Sequence, residues 1–139
     1  MSRRALSALA AVLVVGCSGG RDKTLADLQS ARPEVRALAV KKLAEKFESD
    51  DVSLFSQAAR DPVSIVRAEA MTALGKTQDP RIVDLLGEAL ADPDEQVQQA
   101  AAAALASFKT DKARSYLTLQ YSRRGRTTRV AIVQALKGT

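Results

Sequence analysis

Residues 61–75 read Asp61-Pro62-Val63-Ser64-Ile65-Val66-Arg67-Ala68-Glu69-Ala70-Met71-Thr72-Ala73-Leu74-Gly75, and this stretch decides the fold. Asp61-Pro62 marks a turn, because a proline pushes its predecessor out of helical geometry. After it, Val66, Ala70, Ala73 and Leu74 recur at helical spacing and fall on one face. Gly75 reads as the terminator, supplying the left-handed residue that helix C-termini favour. The stretch predicts a turn, an amphipathic helix and a stop.

The same pattern recurs up and down the chain with a period of 31 residues. Leu43, Leu74, Leu105 and Leu136 form one column, and Val35, Val66 and Val97 another. Arg36, Arg67 and Arg129 align, as do Ala39, Ala70, Ala101 and Ile132. A second block keeps step: Leu54, Leu85 and Tyr116, then Phe55, Leu86 and Leu117, then Leu28, Ala59, Leu90 and Tyr121. Self-similarity over so many columns is the mark of a repeat array, in which each unit buries its apolar face against its neighbours. Each unit reads as two helices, with Asp61-Pro62 and Asp92-Pro93 between them and Pro80 opening a further helix. Pro33 precedes a helix over Val35–Lys46, and Thr127–Lys137 forms the last one. The expected architecture is all-α: a solenoid of about four helix pairs, with a short capping helix at Thr24–Gln29.

An Asp-Pro turn, then Val-Arg, then small residues, then Ala-Leu-Gly resembles the HEAT repeat, in the short form related to the phycobilisome-lyase group. Asp61-Pro62, Val66-Arg67, Ala70 and Ala73-Leu74-Gly75 carry the resemblance best. Asp92-Pro93, Val97, Ala100-Ala101 and Ala104-Leu105 follow, with Gln98 in place of the arginine. The resemblance spans Thr24–Thr139. It implies that Asp61, six residues before Arg67, caps a helix and pairs with the arginine of a neighbouring unit, making an acid–base ladder with a structural role. Arg123 stands where the last unit would carry that aspartate, so the ladder breaks there.

The N-terminus carries a different signal. Arg3-Arg4 precedes an apolar run, Ala5–Val15, broken only by Ser7. Eleven residues span about 16 Å as a helix, too short for a hydrocarbon core of about 30 Å. Positive charge, a short apolar run and a small residue fit a secretory signal. Val14-Val15-Gly16-Cys17 resembles the bacterial lipobox, with valines at two positions where other residues are more usual. That resemblance implies cleavage before Cys17 and lipidation of its thiol, with acyl chains holding the protein on a membrane. Ser18, rather than aspartate, follows the cysteine, which points to the outer membrane on its periplasmic side. The expected organisation is therefore a signal peptide at 1–16, a flexible tether at 17–23 and the array at 24–139.

Composition excludes much chemistry. In 139 residues there is no His, one Cys and no Trp, and aromatics make up 4%. Without histidine the commonest general base and the commonest metal ligand are missing. A single cysteine supplies neither an internal disulfide nor a zinc site. Ala70–Thr77 satisfies a relaxed phosphate-loop expression, but it lies at a helix end, where backbone amides do not cradle phosphate. Asp50-Asp51 and Asp92, Asp94 and Glu95 fall at interhelix turns and read as helix caps. No catalytic residue, cofactor or metal is expected, and no small-molecule substrate.

The formal charge of +5 is unevenly spread. From Lys109 onward eight bases face Asp111 alone, a net +7, whereas residues 17–108 hold 11 bases and 15 acids, a net −4. Arg123, Arg124, Arg126 and Arg129 form the densest basic region and are the candidate partner-binding residues. Such an end suits lipid phosphates, lipopolysaccharide or an acidic protein, or serves as a solvated cap. Nucleic acid is not expected, because stacking aromatics are scarce. The sequence thus predicts a non-enzymatic, membrane-tethered module of the bacterial envelope that binds a protein partner. The alternative is an accessory or enzyme resembling the lyase-associated HEAT-repeat proteins.

Overall fold

The structure is a computed structural model that describes residues 19–123 and 125–138. Among these residues all regular structure is helical. The helices are α1 (Gly19–Asp27), α2 (Pro33–Glu45), α3 (Asp51–Ala58), α4 (Ser64–Thr77), α5 (Val83–Ala89), α6 (Glu95–Ser107), α7 (Asp111–Tyr121) and α8 (Arg126–Lys137). A 3₁₀ turn at Pro80–Ile82 leads into α5.

Consecutive helices pair as hairpins, α1 with α2, α3 with α4, α5 with α6 and α7 with α8. The second helices of the hairpins, α2, α4, α6 and α8, stack in chain order and carry the most intimate packing. This is the solenoid of four helix pairs that the period predicts. Proline opens α2, while the side chains of Asp94 and Thr110 accept from Gln96 N and Ala113 N at the starts of α6 and α7. Each cap satisfies a backbone donor that the helix cannot use itself.

The sequence columns are the core. Leu43, Leu74 and Leu105 are buried, as are Val66 and Val97 and the trio Ala39, Ala70 and Ala101. Phe55, Leu86 and Leu117, contributed by three successive first helices, are wholly inaccessible to solvent. Where one column changes residue, its neighbour compensates. Tyr116 replaces the leucine of its column, and its ring lies so close to Gly87 that a β-carbon there would sit 2.5 Å from the ring.

Two expectations are corrected. Gly75 does not end its helix: α4 continues to Thr77, and the left-handed residue is Gln78 (φ 54°). Its repeat counterpart Lys109 takes the same conformation (φ 47°). Gly75 has a packing role instead, since a β-carbon there would lie 2.8 Å from Ala104 Cβ and 3.0 Å from Ala104 Cα. Lacking a side chain, it lets α6 approach α4 at backbone distance. The second correction concerns residues 19–23, expected as flexible tether, which form the opening of α1. Arg21 explains this, because its Nη2 reaches Asp51 Oδ1 at 2.7 Å. Asp51 is only 1% exposed, and its other carboxylate oxygen accepts from Glu48 N at 2.9 Å. A partner thirty residues away orders what local composition leaves free. Cys17 and the signal segment lie outside the described residues.

Candidate interaction surface

The polar framework of the stack is built from one repeated device. Arg36 on α2 donates from Nε and Nη2 to the two carboxylate oxygens of Asp61, both at 2.8 Å. One unit later, Arg67 on α4 grips Asp92 in the same way, at 2.8 and 2.9 Å. In both cases Nη1 turns back to carbonyls of the unit's own turn: Ser30 O and Ala31 O for Arg36, Asp61 O and Pro62 O for Arg67. The acids also fold the turns, since Asp61 Oδ1 accepts from Val63 N and Asp92 Oδ1 from Asp94 N. Two-pronged, charge-assisted bonds of this kind fix both distance and angle between neighbouring units. The expected ladder of arginines and aspartates is therefore present between the first and third units.

The pairing moves proton affinities in opposite directions. Bonded to Asp92, Arg67 holds its proton more tightly than a free guanidinium, and Asp61 does the same for Arg36. The Arg36 hydrogen bonds hold the Asp61 carboxyl below the usual carboxylate range, against the opposing effect of burial. A carboxyl with a depressed folded-state pKa contributes stability that is complete above its unfolded value, near 4, and disappears as pH falls through the folded value. Thermal melts between pH 5 and pH 2 are expected to show stability falling below about pH 4. That fall should be shallower in Asp61→Asn, whose residue 61 no longer titrates. Parallel curves for the two proteins would remove Asp61 from the account.

The ladder ends after the third unit, as Arg123 in the aspartate column predicts. Gln98, in the arginine column, donates Nε2 to Asp92 O at 2.6 Å and accepts from Thr128 Oγ1 at 2.8 Å. Thr128 is fully buried in the column otherwise held by valine. A neutral pair thus replaces the charged rung where a second arginine, Arg123, occupies the opposite side. The last ladder arginine, Arg129, meets no acid among the described residues. It donates from Nε to Tyr121 O at 3.1 Å and from Nη2 to Ser122 O at 3.3 Å. Its guanidinium lies 5.7 Å from the centroid of the Tyr121 ring.

Of the predicted binding residues, the structure brings Arg126 and Arg129 to the rim of one open hollow. Tyr121, Val130 and Val133 line it, with Lys137 at its far edge. Arg123, exposed in the turn after α7, is not among the lining residues. Arg124 lies outside the described residues. The sequence placed Tyr121 in a repeat column and not in the site, and neither Val130 nor Val133 was named, although the columns of Tyr121 and Val133 carried the signal. Val40, Met71 and Ala102 are buried, yet Val133 in the same column is partly open. Leu90 is buried, whereas Tyr121 in its column is 42% exposed. Among the described residues no group of three or more acidic, cysteine or histidine side chains is arranged to hold a metal ion. No helix among them is long and apolar enough to cross a membrane.

Helix hairpins stacked through a repeated arginine–aspartate rung define an α-solenoid, a class of repeat protein that presents long side surfaces and two end faces. The chain belongs to the HEAT-repeat family, whose model for HEAT repeats matches residues 22–81 and 52–137. No curated protein matches it. HEAT repeats commonly mediate protein–protein interaction, and the scaffold is typically non-catalytic.

Proposed function

We propose that this protein is a non-enzymatic, membrane-tethered helical-repeat module of the bacterial envelope that binds a protein partner. Its C-terminal end supports this reading most directly. There Arg126 and Arg129 line one open hollow together with the partly open apolar side chains of Tyr121, Val130 and Val133. An apolar floor inside a charged rim is the layout of a protein-binding patch. The tether is the acylated Cys17, on the outer membrane at its periplasmic side. Because α1 begins at Gly19, an anchor on Cys17 leaves little slack between lipid and array.

Reversing the charge of Arg123, Arg124 and Arg126 together is expected to abolish partner capture from solubilised membranes while leaving helical circular dichroism unchanged. Cells fed radioactive palmitate should label the protein, and Cys17→Ala should lose the label. Unaltered pull-down by the charge-reversed protein removes the binding reading. Equal labelling of both proteins removes the tether.

A further inference from the structure

We infer that the C-terminal end face is a half-built rung that takes a carboxylate from an acidic segment of another protein, with an apolar side chain of that segment on Tyr121, Val130 and Val133. The inference rests on the binding-module reading and names the chemistry of its partner.

The molecule itself shows what its ladder arginines bind. Arg36 and Arg67 each hold a carboxylate through Nε and Nη2 at 2.8–2.9 Å. In Arg129, the fourth copy, the same two nitrogens rest on neutral carbonyls at 3.1 and 3.3 Å. Replacing those longer bonds to neutral carbonyls by a two-pronged pair to a carboxylate adds the counter-charge and yields shorter, stronger ones. Arg36 and Arg67 are 15% and 14% exposed, whereas Arg129 stands in solvent and is open to a ligand. Arg126 and Lys137 add positive charge on either side, within a C-terminal region of net +7. An acidic partner is the complement of that field.

The occupant is not another stacked repeat. Lys137 stands in the column of Ala44, Gly75 and Ala106, the small residues that include the close-approach position at Gly75. Its long side chain denies a following helix the spacing at which α6 meets α4. A second copy offers no ladder acid either, since Ser30 holds the aspartate position in the first unit. Residues 1–18 of this chain contain no Asp or Glu, so they have no carboxylate to give. Phosphate groups of an anionic lipid surface meet the charge but leave the apolar floor unused.

The test uses the whole protein and a fluorescent peptide copying residues 91–99 (ADPDEQVQQ), which carries three carboxylates and one valine. Anisotropy should show binding to the wild type. Arg129→Gln should weaken it about tenfold, the scale of one lost charge-assisted contact. Val130→Asn should weaken it less, and Lys76→Glu, a charge change elsewhere, should leave it unchanged. A peptide with Asn and Gln in place of its acids should not bind. Three results overturn the inference: peptide affinity indifferent to Arg129, Arg129-dependent binding to phosphatidylglycerol vesicles that the peptide does not displace, or Arg129-dependent self-association on sedimentation. Peptide binding as expected, with partner capture unaffected by the charge reversal above, supports the inference and overturns the wider reading's assignment of the natural contact. Capture lost on that reversal, with peptide affinity indifferent to Arg129, does the opposite.

Discussion

Replacing Asp92 by alanine is expected to lower stability by about 3 kcal/mol, the scale for removing one partner of a largely buried ion pair. Asp92 accepts twice from Arg67 and once from Asp94 N, so alanine leaves a guanidinium without its counter-charge and an amide without its acceptor. The side chains of this pair are 14% and 12% exposed, so water restores only part of what is lost. A drop of roughly 10 °C in melting temperature follows for a chain of this size. The pair lies between the second and third units, and repeat arrays hold together by nearest-neighbour interfaces. Melting of the variant should therefore broaden as well as shift. Arg67→Met with Asp92→Asn should recover more than half of the loss, because neither residue then carries a charge and asparagine keeps the turn bond. A loss below 1 kcal/mol for Asp92→Ala alone would place the rung with ordinary surface pairs, which contribute little.

Gly75→Val is expected to cost about 3 kcal/mol, the upper end for overpacking a close interface. Local propensity predicts the opposite sign, since valine suits a helix interior better than glycine by a few tenths of a kcal/mol. The β-carbon alone would fall 2.8 Å from Ala104 Cβ and 3.0 Å from its Cα, and the branched methyl groups would crowd this contact further. The nearer obstacle is a methyl group fixed on α6 and the other is backbone, so neither yields by rotating a side chain. The helices must separate. Gly75→Ala should cost less, and Ala104→Gly in that background should recover part of it by moving the missing methyl to the other helix. Chemical denaturation of the four proteins checks the series. A Gly75→Val protein as stable as the wild type would show that the contact relaxes freely.

Much of this architecture was legible in the residues. The columns at Leu43, Leu74 and Leu105 and at Phe55, Leu86 and Leu117 are the buried core. Asp61 and Asp92 reach the arginines of preceding units, as the family resemblance implied. The candidate site was legible in part. Charge counting located the basic end and named Arg123, Arg124, Arg126 and Arg129, of which Arg126 and Arg129 share the hollow. Apolar residues there were passed over because Val130 and Val133 look like ordinary core residues in a helical pattern. Only their position in an open hollow beside Tyr121 and Arg129 changes their meaning.

What the sequence determined alone was the period, the two helices of each unit and the residues that face inward, because these follow from spacing along a regular helix. Tertiary structure decided what each exception is for. Gly75 read as a terminator until α6 was placed against it. Residues 19–23 read as a tether until Asp51, far along the chain, was found holding Arg21. Gln98 and Thr128 looked like two unrelated departures from the repeat and are one hydrogen-bonded pair. In each case the deciding contact joins residues about 30 positions apart. Local pattern fixes a helix, but the identity of its neighbour comes only with the stack.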